Sequence, residues 1–202
     1  MTDTPVQRFY RLQAPIYNLT RWPFLRGRKT AIAWLDIQPD SLVLEIGCGT
    51  GANFKPIIAR LDVDSGRLIG VDFSPAMLRR AGSRITRNRW QNVQLIAAEG
   101  AVLPLHASFD CILFSYSLAM MPDWADALDR AVERLAPGGR LVVLEFGRFE
   151  RWGPLGALIR RYLRLNHVDT DRPILQRLAT FFNRVQTRHW LGGYNFVAVG
   201  LR

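Results

Sequence analysis

Only two cysteines, Cys48 and Cys111, occur in the 202 residues. Cys48 lies in a glycine-rich turn and Cys111 in an apolar run. Neither belongs to a CxxC pair or a Cys/His cluster, so the sequence predicts no disulfide and no bound metal. No apolar run approaches the roughly 18 residues that a membrane span needs. The N-terminal segment MTDTPVQRFYRL lacks the apolar core of a signal peptide. A reducing, cytoplasmic location is expected. Repeats and low-complexity linkers are also missing. The length, with 49% hydrophobic residues, suits one domain with a sizeable core and is short for two.

What is abundant is arginine-borne positive charge, and it is segregated. The net charge is +10. Residues 1–30 carry six basic side chains against Asp3, and residues 148–202 carry ten arginines against Glu150, Asp169 and Asp171. The stretch between them is slightly acidic. A cationic surface fits an anionic partner, such as a membrane face, a nucleic acid or an anionic substrate, and equally fits a generic solubilising charge. The segregation favours a partner, and no aromatic–basic RNA-binding motif accompanies it, so nucleic acid is not expected.

Strand and helix signals alternate through the middle of the sequence. Apolar runs at 42–47, 67–72, 93–98, 109–115 and 140–146 read as buried strands. Helices are expected over 52–61, from Pro75 to Arg87 with Ser74 as its N-cap, and over 122–136, where Pro137-Gly138-Gly139 stops the last one. Such alternation implies a parallel sheet covered on both faces. The end of the sequence reads as two strands joined at Gly192-Gly193, a hairpin signal. The expected fold is therefore α/β, a Rossmann-like seven-stranded mixed sheet in which only the last strand is antiparallel. It forms a single domain over 1–202: N-terminal cap helices over 1–38, a core over 39–147, and helices with the C-terminal hairpin over 148–202. In the first cap helix, Thr4, Pro5 and Gln7 form a capping-box start, and a second covers Arg28–Asp36. Within 148–202, Leu155, Leu158, Ile159, Tyr162 and Leu163 make an apolar helical stripe with Arg160, Arg161 and Arg164 off it, and another helix covers about 172–183.

The candidate ligand site follows the first strand. Glu45-Ile46-Gly47-Cys48-Gly49-Thr50-Gly51 leads from that strand into a helix. Glycines let the backbone turn tightly and approach a ligand closely, and the helix N-terminus offers free N–H groups to an anion. Asp72 ends the second strand, where a carboxylate can accept hydrogen bonds from both hydroxyls of a ribose. Read from Gly47 through Ala52, the turn also satisfies the dinucleotide pattern GxGxxA, and a glycine-rich turn with no ligand is the plain alternative.

The segments VLEIGCGTG, GVDFSPAML, AAEGAVLPL, FDCILFSYSL and LAPGGRLVVLEF occur in that order over residues 40–147. In order and spacing they resemble class I S-adenosylmethionine (SAM)-dependent methyltransferases. The resemblance implies SAM as cofactor, released as S-adenosylhomocysteine, with no metal. It implies that Gly47, Cys48, Gly49 and Gly51 line the methionine end, with Glu45 beneath. It places Asp72 at the ribose and Phe73 beside the adenine, with Met77 as an apolar wall. Glu99, Gly100 and Ala101 fall where the family usually carries Asp-Ala near the adenine amine, and Ser115 faces cofactor and acceptor. A methyltransferase-like module that binds without turnover is disfavoured by the intact glycines, Asp72 and Ser115.

The acceptor is read from the flanks. RFYRLQAPIYNLTRWPFLRGR, SYSLAMMPDW and RLNHVDTDRPILQRLA resemble small bacterial lipid N-methyltransferases of the betaine-lipid and phosphatidylethanolamine types. The Tyr-rich N-terminal segment and VLEF resemble ubiquinone and menaquinone C-methyltransferases. The first expectation is N-methylation of a membrane-lipid amine, the alternative C-methylation of a quinone-precursor ring, and the further alternative another small molecule. No Asn-Pro-Pro-Tyr, a mark of base N-methylation, is present. Tyr10, Tyr17, Ser115 and Tyr116 are candidate positioning residues at the acceptor, and Arg21, Arg28 and Trp22 candidate head-group contacts. His106 and His167 are weighed as bases and as ordinary structural residues. The acceptor is expected to be a lipid or another amphiphile, with peripheral contact at an anionic inner membrane face.

Overall fold

Alternate residues of the apolar runs face opposite sides of one sheet. In β1 (Leu42–Ile46), Val43 turns to one core cluster and Leu44 and Ile46 to the other. The same period-2 split separates Cys111 and Leu113 from Ile112 and Phe114 in β4 (Phe109–Ser115). Strands buried on both faces need cover on both faces. The computed structural model describes residues 27–202. The segment expected to form the first cap helix lies outside them, as do Tyr10, Tyr17, Arg21 and Trp22.

The remaining strands are β2 (Arg67–Asp72), β3 (Val93–Ala97), β5 (Leu135–Phe146), β6 (Val185–Trp190) and β7 (Asn195–Leu201). Their order in the sheet is β3-β2-β1-β4-β5-β7-β6. The first five are parallel, and β7 runs antiparallel to both β5 and β6. This is the seven-stranded mixed sheet expected from the sequence. Helices α1 (Arg28–Trp34), α2 (Phe54–Ile58), α3 (Pro75–Asn88) and α5 (Gly153–Leu165) pack on one side, through Ile32, Ile57, Ala81 and Leu163 among others. Helices α4 (Trp124–Glu133) and α6 (Ile174–Phe181) cover the other side, through Leu128 and Leu178.

Two local readings shift. The helix expected over 122–136 ends at Glu133, and β5 begins at Leu135, before the Pro137-Gly138-Gly139 segment. Leu135 pairs with Phe109 and the register then jumps to Cys111 opposite Arg140. The proline and glycines therefore form an irregularity inside a strand pair, where a backbone without a Cβ fits. The helix expected over 52–61 is shortened to Phe54–Ile58. The sequence leaves open which side of α5 faces the sheet. A β-carbon at Gly156 would stand 2.6 Å from the Phe149 carbonyl oxygen. This close approach turns Gly156 and Leu163 inward and leaves Leu155, Leu158 and Tyr162 exposed.

All parallel strands end at the same edge, and the hairpin turn between β6 and β7 joins them there, since Asn195 pairs with Phe146 at the end of β5. Gly27, the first described residue, abuts the same edge: a β-carbon on it would lie 2.8 Å from Leu144 and 3.6 Å from Asn195. The turns at this edge carry the candidate site, as expected for an open α/β sheet.

Burial decides what a truncation costs. Phe114 on the central strand is fully buried, so Phe114→Ala is expected to destabilise the protein by about 3–5 kcal/mol. Leu158→Ala on the outer side of α5 should stay within about 0.5 kcal/mol of the parent. Denaturant midpoints of the two variants check this contrast.

Candidate cofactor and acceptor site

The turn after β1 is built around two glycine positions that need to be glycine. Gly47 has φ +72°, and a β-carbon there would come within 2.4 Å of Ser117 Cβ. Gly49 has φ +55° and nothing within 4 Å of where its β-carbon would be. The first glycine admits the loop after β4, and the second leaves open space beside the backbone. Gly51, also left-handed, packs against the Phe54 ring, and Cys48 is buried.

Asp72 ties this turn to the next. One carboxylate oxygen accepts the Gly49 N–H at 2.8 Å and the other accepts the Ser74 N–H at 2.8 Å. Ser74 in turn caps α3 by accepting the Met77 N–H. Burial raises the Asp72 carboxyl above its usual range, opposed by these two N–H donors. Each oxygen keeps a lone pair for a hydroxyl donor. Phe73 is half-buried beside it, whereas Met77 is core. The Glu99–Val102 segment follows β3, and Ala98 donates its N–H to the Asp72 carbonyl. Glu99 is exposed and Ala101 half-buried, while Gly100 is packed among Ile46, Met121 and Ala127.

Glu45 points to the α1–α2 side of the sheet and is buried. Asn53 donates to its Oε1 at 2.7 Å, and Oε2 has no hydrogen-bond partner. Burial pushes its pKa to about 7, against the Asn53 hydrogen bond and the charge of Arg28, with Asp72 adding a smaller upward push. Ser115 Oγ, at the end of β4, is likewise buried without a partner. Next to it Tyr116 sits at φ +55°, with its hydroxyl accepting from Asn195 Nδ2 at 2.8 Å and its ring 4.8 Å from that of Phe146. Tyr116 is thus anchored in an aromatic cluster with Phe146. Arg28 lies near enough to act electrostatically on both Glu45 and Tyr116. It sits at the inner side of the site edge and not on an outer cationic face. His106 and His167 are exposed.

Two residues missed at the sequence level hold the turn after β4. Glu145 is fully buried, and burial pushes its pKa to about 7 against the backbone N–H groups that bond it. It accepts from Ala119 at 3.1 Å and from Phe146 at 3.3 Å. Arg172 donates to the carbonyls of Leu118, at 2.5 Å, and Met121. The short turn 118–120 is held by a carboxyl acceptor at its N–H end and a guanidinium donor at its carbonyl end, so backbone groups at both ends are satisfied. A glutamate inside the apolar run of β5 was a visible signal, because an unpaired buried charge is costly. Arg172 and Asn53 gave none.

Residues 43–139 match the family model described as a methyltransferase domain. Over those residues the chain carries a SAM-dependent methyltransferase domain. It is 29% identical over 119 residues to a demethylmenaquinone methyltransferase of Bacillus cereus, covering 58% of this chain and 50% of the relative. The chain thus spans about half the length of that relative. It is 26% identical to a 2-phytyl-1,4-naphtoquinone methyltransferase of Thermosynechococcus vestitus, over 74% of this chain and 71% of the relative. Among solved structures, the N-methyltransferase NodS of Bradyrhizobium japonicum, in complex with S-adenosylhomocysteine, matches with TM-score 0.68 and 25% identity, covering 89% of this chain and 88% of the other.

The residues present fit SAM, the cofactor of this domain. Gly49 opens onto free space, Asp72 can accept from a ribose, and the unpaired Glu45 Oε2 suits the cofactor's ammonium. Two outcomes follow. Asp72→Ala should weaken S-adenosylhomocysteine binding at least about tenfold, ~1.4 kcal/mol; equal affinities by calorimetry would remove the ribose role. The second is a pH effect. With its pKa raised from 4.5 to about 7, Glu45 holds more proton in the folded than in the unfolded state between those values. Its contribution to stability therefore falls as pH rises through that window and is level above it. Glu45→Gln should flatten the decline in melting temperature of the ligand-free protein from pH 5 to pH 7.5, and a parallel profile would contradict this.

Proposed function

We propose that this protein methylates a ring carbon of a quinone precursor, with SAM as methyl donor. The similarity to two quinone-ring methyltransferases, one reaching across about three quarters of this chain, carries this reading. The chemistry asks for an electron-rich ring, so the acceptor is the reduced, dihydroxy form. SAM supplies a methyl on a sulfonium, a good leaving group. A C–C bond forms, the S–C bond breaks, and the ring hydrogen leaves as one proton. The protein's task is mainly to position the ring and exclude water. Glu45, Gly47–Gly51 and Asp72 hold the cofactor in this reading. Phe73 and the Glu99–Ala101 turn flank its adenine, and Ser115 faces the acceptor. The turn 118–120, fixed by Glu145 and Arg172, walls the acceptor space.

N-methylation of a lipid amine is the second reading. The NodS likeness and the flank motifs favour it, and in it aromatic faces stabilise the cationic product. Tyr10, Tyr17, Trp22, Arg21 and Arg28 are the residues it calls on. Purified protein with labelled SAM, offered a reduced demethylated quinone, phosphatidylethanolamine and diacylglyceryl-homoserine, separates the two. Label is expected in the quinone; label confined to an amine lipid would overturn the main reading.

A further inference from the structure

Helix α5 carries an apolar stripe that the fold does not use. Leu155, Leu158, Tyr162 and Leu165 are 54, 64, 63 and 74% exposed. Their spacing puts them on one side of the helix, with Arg161, also exposed, along its margin. The opposite side, Gly156 and Leu163, is buried against the domain.

Beside the stripe, charge is uncompensated. Arg148, Arg160 and Arg164 all converge on a single carboxylate, Asp171, at 3.8, 3.7 and 2.5 Å. Three guanidiniums on one carboxylate leave two positive charges in excess, and Arg161 adds another. Ala157, Arg160, Arg161, Arg164 and Asp171 line one shallow hollow on this surface. A helix with exposed leucines and a tyrosine on one side, and arginines alongside, is built to lie in the plane of a lipid interface. The excess charge selects anionic lipid over other apolar partners. Among the described residues no helix is long and apolar enough to cross a membrane, so contact through this helix is contact from one side.

The helix is also placed for delivery. Its N-terminal approach runs along the β6–β7 turn at the site edge: Phe149 donates to Gly193 O at 2.8 Å and Arg151 to Gly192 O at 3.1 Å. Beyond its C-terminus, Asp169 donates to Ala119 O at 2.9 Å, in the turn that walls the acceptor space. Both ends of α5 thus attach to the acceptor side of the domain.

We infer that the outer face of α5 docks the protein onto an anionic bilayer surface, with Leu155, Leu158, Tyr162 and Leu165 entering the interface and Arg161 and the Asp171-centred arginines meeting lipid phosphates. The inference stands on this surface and holds for either acceptor class.

The test is co-sedimentation of the full-length protein with phosphatidylcholine–phosphatidylglycerol vesicles and with pure phosphatidylcholine vesicles. The parent protein should bind the anionic vesicles and be released by salt, because exposed charges are screened over about 10 Å at 0.1 M. Leu158→Glu combined with Arg161→Glu should weaken binding at least about tenfold. Arg79→Glu combined with Arg87→Glu, on exposed positions of α3, should weaken it by no more than about twofold. S-adenosylhomocysteine affinity, measured on every variant, should match the parent and so report an intact fold. Four results would overturn the inference: no vesicle binding by the parent, equal binding to neutral vesicles, equal weakening by the α3 control, or loss on deleting residues 1–26 with none from the α5 changes. A dimer that dissociates on Leu158→Glu, without vesicle binding, would assign the stripe to a second copy instead.

Discussion

The Asp72 carboxylate is the tie on which the site depends. Turns at the ends of parallel strands are independent loops unless something joins them. Asp72 joins the Gly47–Gly51 turn to the start of α3 by accepting one N–H from each. Both donors are backbone N–H groups of the turns themselves, so the carboxylate satisfies and fixes them together. The arrangement pre-forms the backbone opposite Gly49, where the fold leaves open space. Loss of the carboxylate would remove a ligand contact and the link between two loops together.

Glu145 does for the turn after β4 what Asp72 does for the turn after β1. It projects from β5 into backbone N–H groups of the turn after β4, while Arg172, more than fifty residues further along the sequence, closes the same turn. Buried carboxylates are expensive, and their raised pKa values report that cost. Glu45 and Glu145 are both pushed to about 7, but their partners differ. Glu145 accepts from backbone N–H groups and has a structural role. Glu45 keeps one oxygen unpaired and remains available to a cationic ligand. Three buried carboxylates at one edge of the sheet thus divide between holding the loops and meeting the cofactor.

Most of the fold was legible because its signals are local and redundant. Period-2 burial, helix caps such as Ser74, and the Gly192-Gly193 join each mark an element in its own sequence. The cofactor turn was legible for the same reason: Glu45 to Gly51 and Asp72 sit at strand ends that apolar runs announce. What escaped depended on tertiary placement. Pro137-Gly138-Gly139 carries a helix-stop signal, yet pairing of Leu135 with Phe109 captures the segment for a strand. Pattern alone gives α5 an apolar stripe without saying which side faces inward; the close approach at Gly156 decides that. Arg172 and Asn53 act across 51 and eight residues of sequence, a distance no local pattern spans.

The connection between α5 and the acceptor edge is itself aromatic. Tyr116, just after β4, packs in a tilted pair with Phe146; Phe146 meets Tyr194, and Tyr194 meets Phe149 and Trp152 at the approach to α5. Such contacts add to simple burial and favour one arrangement of the rings over others. Trp152 Nε1 also donates to the Leu191 carbonyl at 2.6 Å, so the cluster is pinned to the hairpin turn. The approach to α5, the β6–β7 turn and the residue after Ser115 are therefore parts of one packed unit, so the end of β4 is held in place by rings that come from three separate segments of the sequence.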